Sequence, residues 1–153
     1  MERIELASDF KDFLKLLNSN GVEYLLVGGY AVSYHGYPRS TAGMDIWIAI
    51  SPENARRVAD VLVQFGFSSG VSPDIFMVPN RIARMGVPPM RIELLNTISG
   101  VAFADAYSRR VAAVIDGTPV NVISLDDLNA NKQAAGRAKD LADLEGLPKQ
   151  TGQ

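Results

Sequence analysis

The chain has 153 residues, 47% hydrophobic and 21% charged, with a net charge of −2, one histidine and no cysteine. That length suits one domain with a real core, while the missing cysteines exclude disulfides, thiolate chemistry and cysteine-ligated zinc, and the lone histidine excludes a histidine-rich metal site within one chain. The acidic balance argues against a surface that coats nucleic acid generally, no apolar run approaches the roughly 20 residues of a membrane span, and the charged start Met1-Glu2-Arg3-Ile4-Glu5 lacks an apolar signal core, so a cytoplasmic protein off the membrane is expected.

Asp9 reads as a helix N-cap with Asp12 in the capping-box position, and Phe10, Phe13, Leu14 and Leu17 repeat at helical spacing until Asn20-Gly21 stops the helix. Residues 23–28 read as a buried strand and 29–36 as a short helix with Ala31 and Val32 inside. Pro38 belongs to a loop, and 44–50 form a second strand. Ser51-Pro52-Glu53 is a strong helix start, combining a cap, a proline at the first helical position and an acid near the positive end of the dipole. Ala55, Val58, Ala59 and Leu62 line that helix's apolar face, and Gly66 closes it. A loop from Ser68 to Pro73 leads to two short strands, Ile75–Val78 and Ile82–Met85, expected as a hairpin. Pro88-Pro89 breaks the chain before the strand Arg91–Leu95, and a short helix follows near Ala102–Tyr107. Val111–Ile115 and Pro119–Ile123 flank Asp116-Gly117-Thr118, a hairpin turn. Ser124 with Asp127 caps a helix to Ala135, Gly136 interrupts, and Arg137–Leu147 forms the last helix. The expectation is a single α/β or α+β domain over residues 1–147, a mixed sheet flanked by helices, with a flexible tail over 148–153.

The chemistry concentrates around Gly28-Gly29. A buried strand running into a glycine pair and a helix start lets backbone N–H groups approach phosphate oxygens, although the same pair also serves as a plain tight turn. Side chains alternate along strands, so Asp45 and Trp47 share one face of theirs, joined by Gly43 if the strand starts that early. Arg91, Glu93 and Leu95 share a face of a later strand. If the two strands are neighbours, Asp45 and Glu93 converge, and two hard carboxylates beside a glycine turn suit magnesium with phosphate oxygens completing its shell. Each acid also has a plain reading as a solvated strand charge. Thr41 and Arg39 offer a hydroxyl and a guanidinium for phosphate, or for an acid in the case of Arg39. His35 reads as packed near a helix end, and Trp47 as core or pocket wall, with base stacking as the alternative. Lys132, Arg137 and Lys139 make the C-terminal run locally basic, balanced by Asp140 and Asp143, and an Arg137–Asp140 brace is one reading of that face. Arg81, Arg84 and Arg91 form a sparse basic set that could touch an RNA backbone.

Gly28-Gly29, the short helix, Arg39-x-Thr41, the acidic strand with Asp45, the later acidic strand with Glu93, and the run from Asn131 to Asp143 resemble the minimal nucleotidyltransferases of the polymerase-beta superfamily. The likeness is closer still to the bacterial nucleotidyltransferase-like proteins of abortive-infection and toxin–antitoxin systems, and it covers most of residues 20–147. It implies the nucleotidyltransferase fold and transfer of a nucleoside monophosphate from a nucleoside triphosphate (NTP) to a hydroxyl on RNA, protein or a small molecule. It implies magnesium on an Asp-x-Asp pair plus a third carboxylate, a nucleotide at Gly28, Gly29, Arg39 and Thr41, and Lys132 reaching the triphosphate. A toxin role would bring an antitoxin partner. Asp45 matches the second acid of the pair and Glu93 the third carboxylate, but Gly43 stands at the first. Either Gly43 is natural in a degenerate binding protein, or it is an engineered knockout of a toxic enzyme, or another acid supplies the ligand. A catalytically dead nucleotide-, RNA- or partner-binding module of the same fold is therefore the second hypothesis.

Overall fold

A computed structural model describes residues 4–67 and 71–149. Its centre is β1 (Tyr24–Val27), four residues buried on both faces, as a continuous apolar run requires. To one side lies β2 (Gly43–Ile48), antiparallel to β1, and then β4 (Arg91–Leu95), parallel to β2. β3 (Ile82–Met85) pairs antiparallel with β4 and forms that edge. On the other side β6 (Thr118–Val122) runs parallel to β1, and β5 (Val111–Ile115) closes the far edge, antiparallel to β6. The order is β3-β4-β2-β1-β6-β5, one mixed six-stranded sheet.

Helices cover this sheet. α1 (Ser8–Ser19) buries Phe10, Phe13, Leu14 and Leu17 as its periodicity predicts. Its N-cap is Ala7 rather than Asp9, which sits in the first turn where its charge complements the helix dipole. α2 (Gly28–Tyr34) follows β1 without a loop and buries Ala31 and Val32. α3 (Pro52–Phe65) starts as predicted, with the Ser51 hydroxyl accepting from the Asn54 amide at 3.1 Å, and ends at Gly66 with φ +129°. α4 (Phe103–Ser108) is a short surface helix. α5 (Leu125–Ala135) is capped by Ser124 accepting from the Asp127 amide and stops at Gly136 in the left-handed conformation, where α6 (Ala138–Gly146) turns away.

The expected strand at 75–78 does not form. Pro73–Met77 is a 3-10 turn in which Ser72 accepts from the Asp74 amide, Phe76 is buried in the core and Met77 packs against it. A serine cap followed by proline at the first position sets helical geometry there and outweighs four consecutive apolar residues. The hairpin partner of β3 is therefore β4, across Gly86 and the Pro88-Pro89 corner. The β5–β6 hairpin does form as expected, with Asp116 and Gly117 both at positive φ in its two-residue turn. Positions 68–70 of the expected loop, and 150–153 of the expected tail, lie outside the described residues. Among those residues no helix is long and apolar enough to cross a membrane.

Candidate functional site: a paired-acid cleft

Strand register brings the two predicted acids together. Asp45 is the direct partner of Glu93 across the parallel β2–β4 ladder, and of Val27, the last residue before the glycine turn, across β1. The two carboxyls are therefore close enough to act on one another electrostatically. Burial, followed by the Glu93 charge, pushes the Asp45 carboxyl up from 3.8 to about 6, with Lys132 and Lys139 pulling the other way. Glu93 is held in turn by Arg84, whose Nε donates to its Oε1 at 2.9 Å, and by Arg91 Nε at 3.3 Å. Two of the three arginines read as RNA contacts are thus engaged on Glu93.

The glycine turn abuts this pair. Gly28 has φ +67°, and a Cβ there would overlap the Asp45 carboxylate, lying 2.9 Å from its Cγ. A Cβ on Gly29 would stand 2.6 Å from the Thr41 side chain. Glycine is therefore required twice, once by conformation and by space and once by space alone. No side chain caps α2. Thr41 is turned inward: its hydroxyl donates to the Gly43 carbonyl at 2.9 Å.

β2 does begin at Gly43, two residues before Asp45 on the same face. A Cβ at this position would collide with the Arg91 carbonyl oxygen of β4 and lie 2.7 Å from its carbon. An acid at 43 requires the first β2–β4 rung to open. Among the described residues, no third acidic or histidine side chain joins Asp45 and Glu93 in a group that could hold a metal.

The pair faces a cleft of about 840 Å³, roofed by α5 and α6 and lined by five cationic and three acidic side chains. Most of those cations are already committed. Lys132, 6% exposed, lies 3.0 Å from Asp143 and 3.3 Å from Asp140, both 1% exposed. Arg39 grips Asp143 through two hydrogen bonds of 2.6 and 2.8 Å, and Arg137 pairs with Asp140 at 2.7 Å as one reading of the sequence had it. Burial pushes the Asp140 and Asp143 carboxyls up, but Arg137, Arg39 and Lys132 outweigh it and hold both below the usual carboxylate range. Lys139 differs. It is exposed, lines the cleft, acts electrostatically on Asp45, and has no hydrogen-bond or ion-pair partner among the described residues. The buried roles of Asp140 and Asp143 were not foreseen in sequence, although their i, i+3 spacing puts them on one helix face, and Lys139 was read only as part of a basic run. His35 is structural: its Nε2 bonds the Ile123 carbonyl at 2.7 Å, and burial lowers its pKa.

The mixed six-stranded sheet flanked by helices is a nucleotidyltransferase-like fold. A crystal structure of an antigenic nucleotidyltransferase-like protein from Paracoccidioides brasiliensis superposes with a TM-score of 0.54 at 18% identity, over 92% of this chain and 76% of that one. No protein-family model matches the chain, and no curated protein does.

Proposed function

We propose that the cleft binds the phosphates of an NTP together with one magnesium ion, and that transfer of the nucleoside monophosphate to a hydroxyl acceptor is weak in this chain. The observation that carries this reading is the Asp45–Glu93 rung set against the Gly28 turn inside a cationic cleft. Two carboxylates crowded on one rung are a donor set suited to a hard cation, which would relieve their repulsion. Asp45 and Glu93 would hold the ion, and it would supply positive charge against the phosphate oxygens. A second ion lacks ligands, because position 43 carries no acid and the backbone there leaves no room for one.

The chain's own groups would do the rest by positioning and electrostatics. Gly28 packs directly against Asp45, so a phosphate held on the ion would lie beside the N–H groups of the glycine turn. Lys139 supplies the mobile positive charge, while Lys132 and Arg39, spent on Asp140 and Asp143, brace the roof to which Lys139 belongs. The resemblance extends the proposal to RNA, protein or a small molecule as acceptor, and to an antitoxin partner if the role is that of a toxin. The crowding at Gly43 favours a second reading, binding without chemistry.

The test is equilibrium binding of inorganic tripolyphosphate and of the four common NTPs, with and without magnesium. The reading predicts magnesium-dependent binding that Lys139→Ala weakens and that loses part of its salt dependence in that variant. Absence of binding, or binding indifferent to magnesium and to Lys139, would refute it. An α-labelled nucleotide assay with an RNA oligonucleotide and the protein itself as acceptors then separates the two readings. Slow transfer abolished by Asp45→Ala marks a weakened enzyme, and no transfer marks a binding module.

A further inference from the structure

A second hollow adjoins the cleft. It has a volume of about 560 Å³ and shares Thr97 and Ile98 with the cleft. Three aromatic side chains line it, Trp47, Phe103 and Tyr107. Trp47 meets Phe103 edge to face at 5.0 Å, and Phe103 stacks on Tyr107 at 5.3 Å with 19° between the rings. The Arg110 guanidinium lies over Tyr107 at 4.1 Å, which holds that ring in place. Trp47 is 1% exposed, and its Nε1 is buried with no hydrogen-bond partner among the described residues.

The two hollows differ in charge. The cleft carries the cations, whereas among the described residues Glu23 is the single charged side chain lining the aromatic groove. The groove therefore offers a phosphate no cation, and its charge favours an uncharged group. The volume lies within the ordinary range for small-ligand pockets. Asp45 and Trp47 stand two residues apart on one face of β2, so about 6.6 Å separates acid and indole along the strand. That separation is of the order a ribose spans between the α-phosphate and the base of a nucleotide.

We propose that this groove takes the nucleobase of the NTP whose phosphates occupy the cleft, an assignment that rests on the function proposed above. The base packs against Phe103 and Tyr107, and a ring carbonyl or ring nitrogen is the acceptor that the Trp47 N–H lacks. An uncharged purine or pyrimidine satisfies both demands, whereas a bare polyphosphate offers acceptor oxygens but no apolar plane to pack on the rings.

Trp47 is the chain's single tryptophan, so its fluorescence reports on the groove directly. The experiment titrates ATP, GTP, CTP, UTP and inorganic tripolyphosphate, each with magnesium, into the full chain and into Tyr107→Ala. Phe103→Leu is a second variant that keeps an apolar side chain under the groove if Tyr107→Ala does not fold. The expected result is a change in Trp47 emission with at least one NTP and none with tripolyphosphate. Each folded variant weakens that nucleotide about tenfold, the scale of a lost base–aromatic contact, and leaves tripolyphosphate affinity within about twofold. Nucleotide affinity unchanged in both variants overturns the assignment while the cleft reading stands, even if use of a hydroxyl acceptor changes. Failure of the unaltered chain to bind tripolyphosphate overturns the cleft reading, and this one with it.

Discussion

Replacing Asp45 by asparagine should stabilise the protein at pH 8 while disabling its cleft. Asp45 faces Glu93 on one rung, where burial and the Glu93 charge hold its carboxyl at about 6 rather than 3.8. A folded pKa above the unfolded one means that the folded chain binds more protons between those values. The contribution to stability is thus fully present below pH 3.8 and is lost as pH rises through 6. Each tenfold change in proton affinity is worth roughly 1.4 kcal/mol, so the rise from 3.8 to about 6 sets a ceiling of about 3 kcal/mol on the cost of ionising the pair at pH 8. Asparagine keeps the shape, removes one charge, and can donate to Glu93. Urea denaturation in the presence of a chelator should give a gain of about 1–3 kcal/mol at pH 8, fading toward zero by pH 4. A variant no more stable than the parent at pH 8, or one with the same gain at both pH values, would show that the carboxylate pair is not under electrostatic strain.

Lys132→Met leaves Asp140 and Asp143 buried with one arginine each, and should cost about 3 kcal/mol by urea denaturation. Unchanged stability would show that the two arginines suffice. Gly28→Ala places a Cβ on the Asp45 carboxylate at a positive φ, so thermal unfolding should reveal a loss of roughly 1–3 kcal/mol. Gly43→Asp drives a Cβ against the Arg91 carbonyl, so it should destabilise by a similar roughly 1–3 kcal/mol and fail to raise α-labelled nucleotide transfer. Parental stability with rapid transfer would show that the β2–β4 rung has room for an acid.

Local rules made much of the fold and the paired acids legible. Period-2 alternation fixed the faces of Asp45 and Glu93, and a parallel register then made them partners. Turn chemistry gave the Asp116-Gly117 hairpin and the Ser51 and Ser124 caps. The strand expected at 75–78 does not form because the Ser72-Pro73 cap outweighs its apolar content. The fates of the cations were hidden for a different reason. Spacing shows that Asp140 and Asp143 share a helix face, but not that α6 turns that face inward onto Lys132 and Arg39 from distant parts of the chain. Nor could spacing show that β4 approaches Gly43 too closely for a side chain, since that depends on the backbone of a strand nearly fifty residues away.

The most direct measurement is the stoichiometry of a paramagnetic divalent ion. Mn²⁺, used in place of magnesium, is titrated into the protein with a saturating NTP and followed by electron paramagnetic resonance, in the unaltered chain and in Glu93→Gln. One bound ion per chain, lost in the variant, is the predicted result. Two ions, or a single ion that ignores the loss of Glu93, would contradict the paired-acid site.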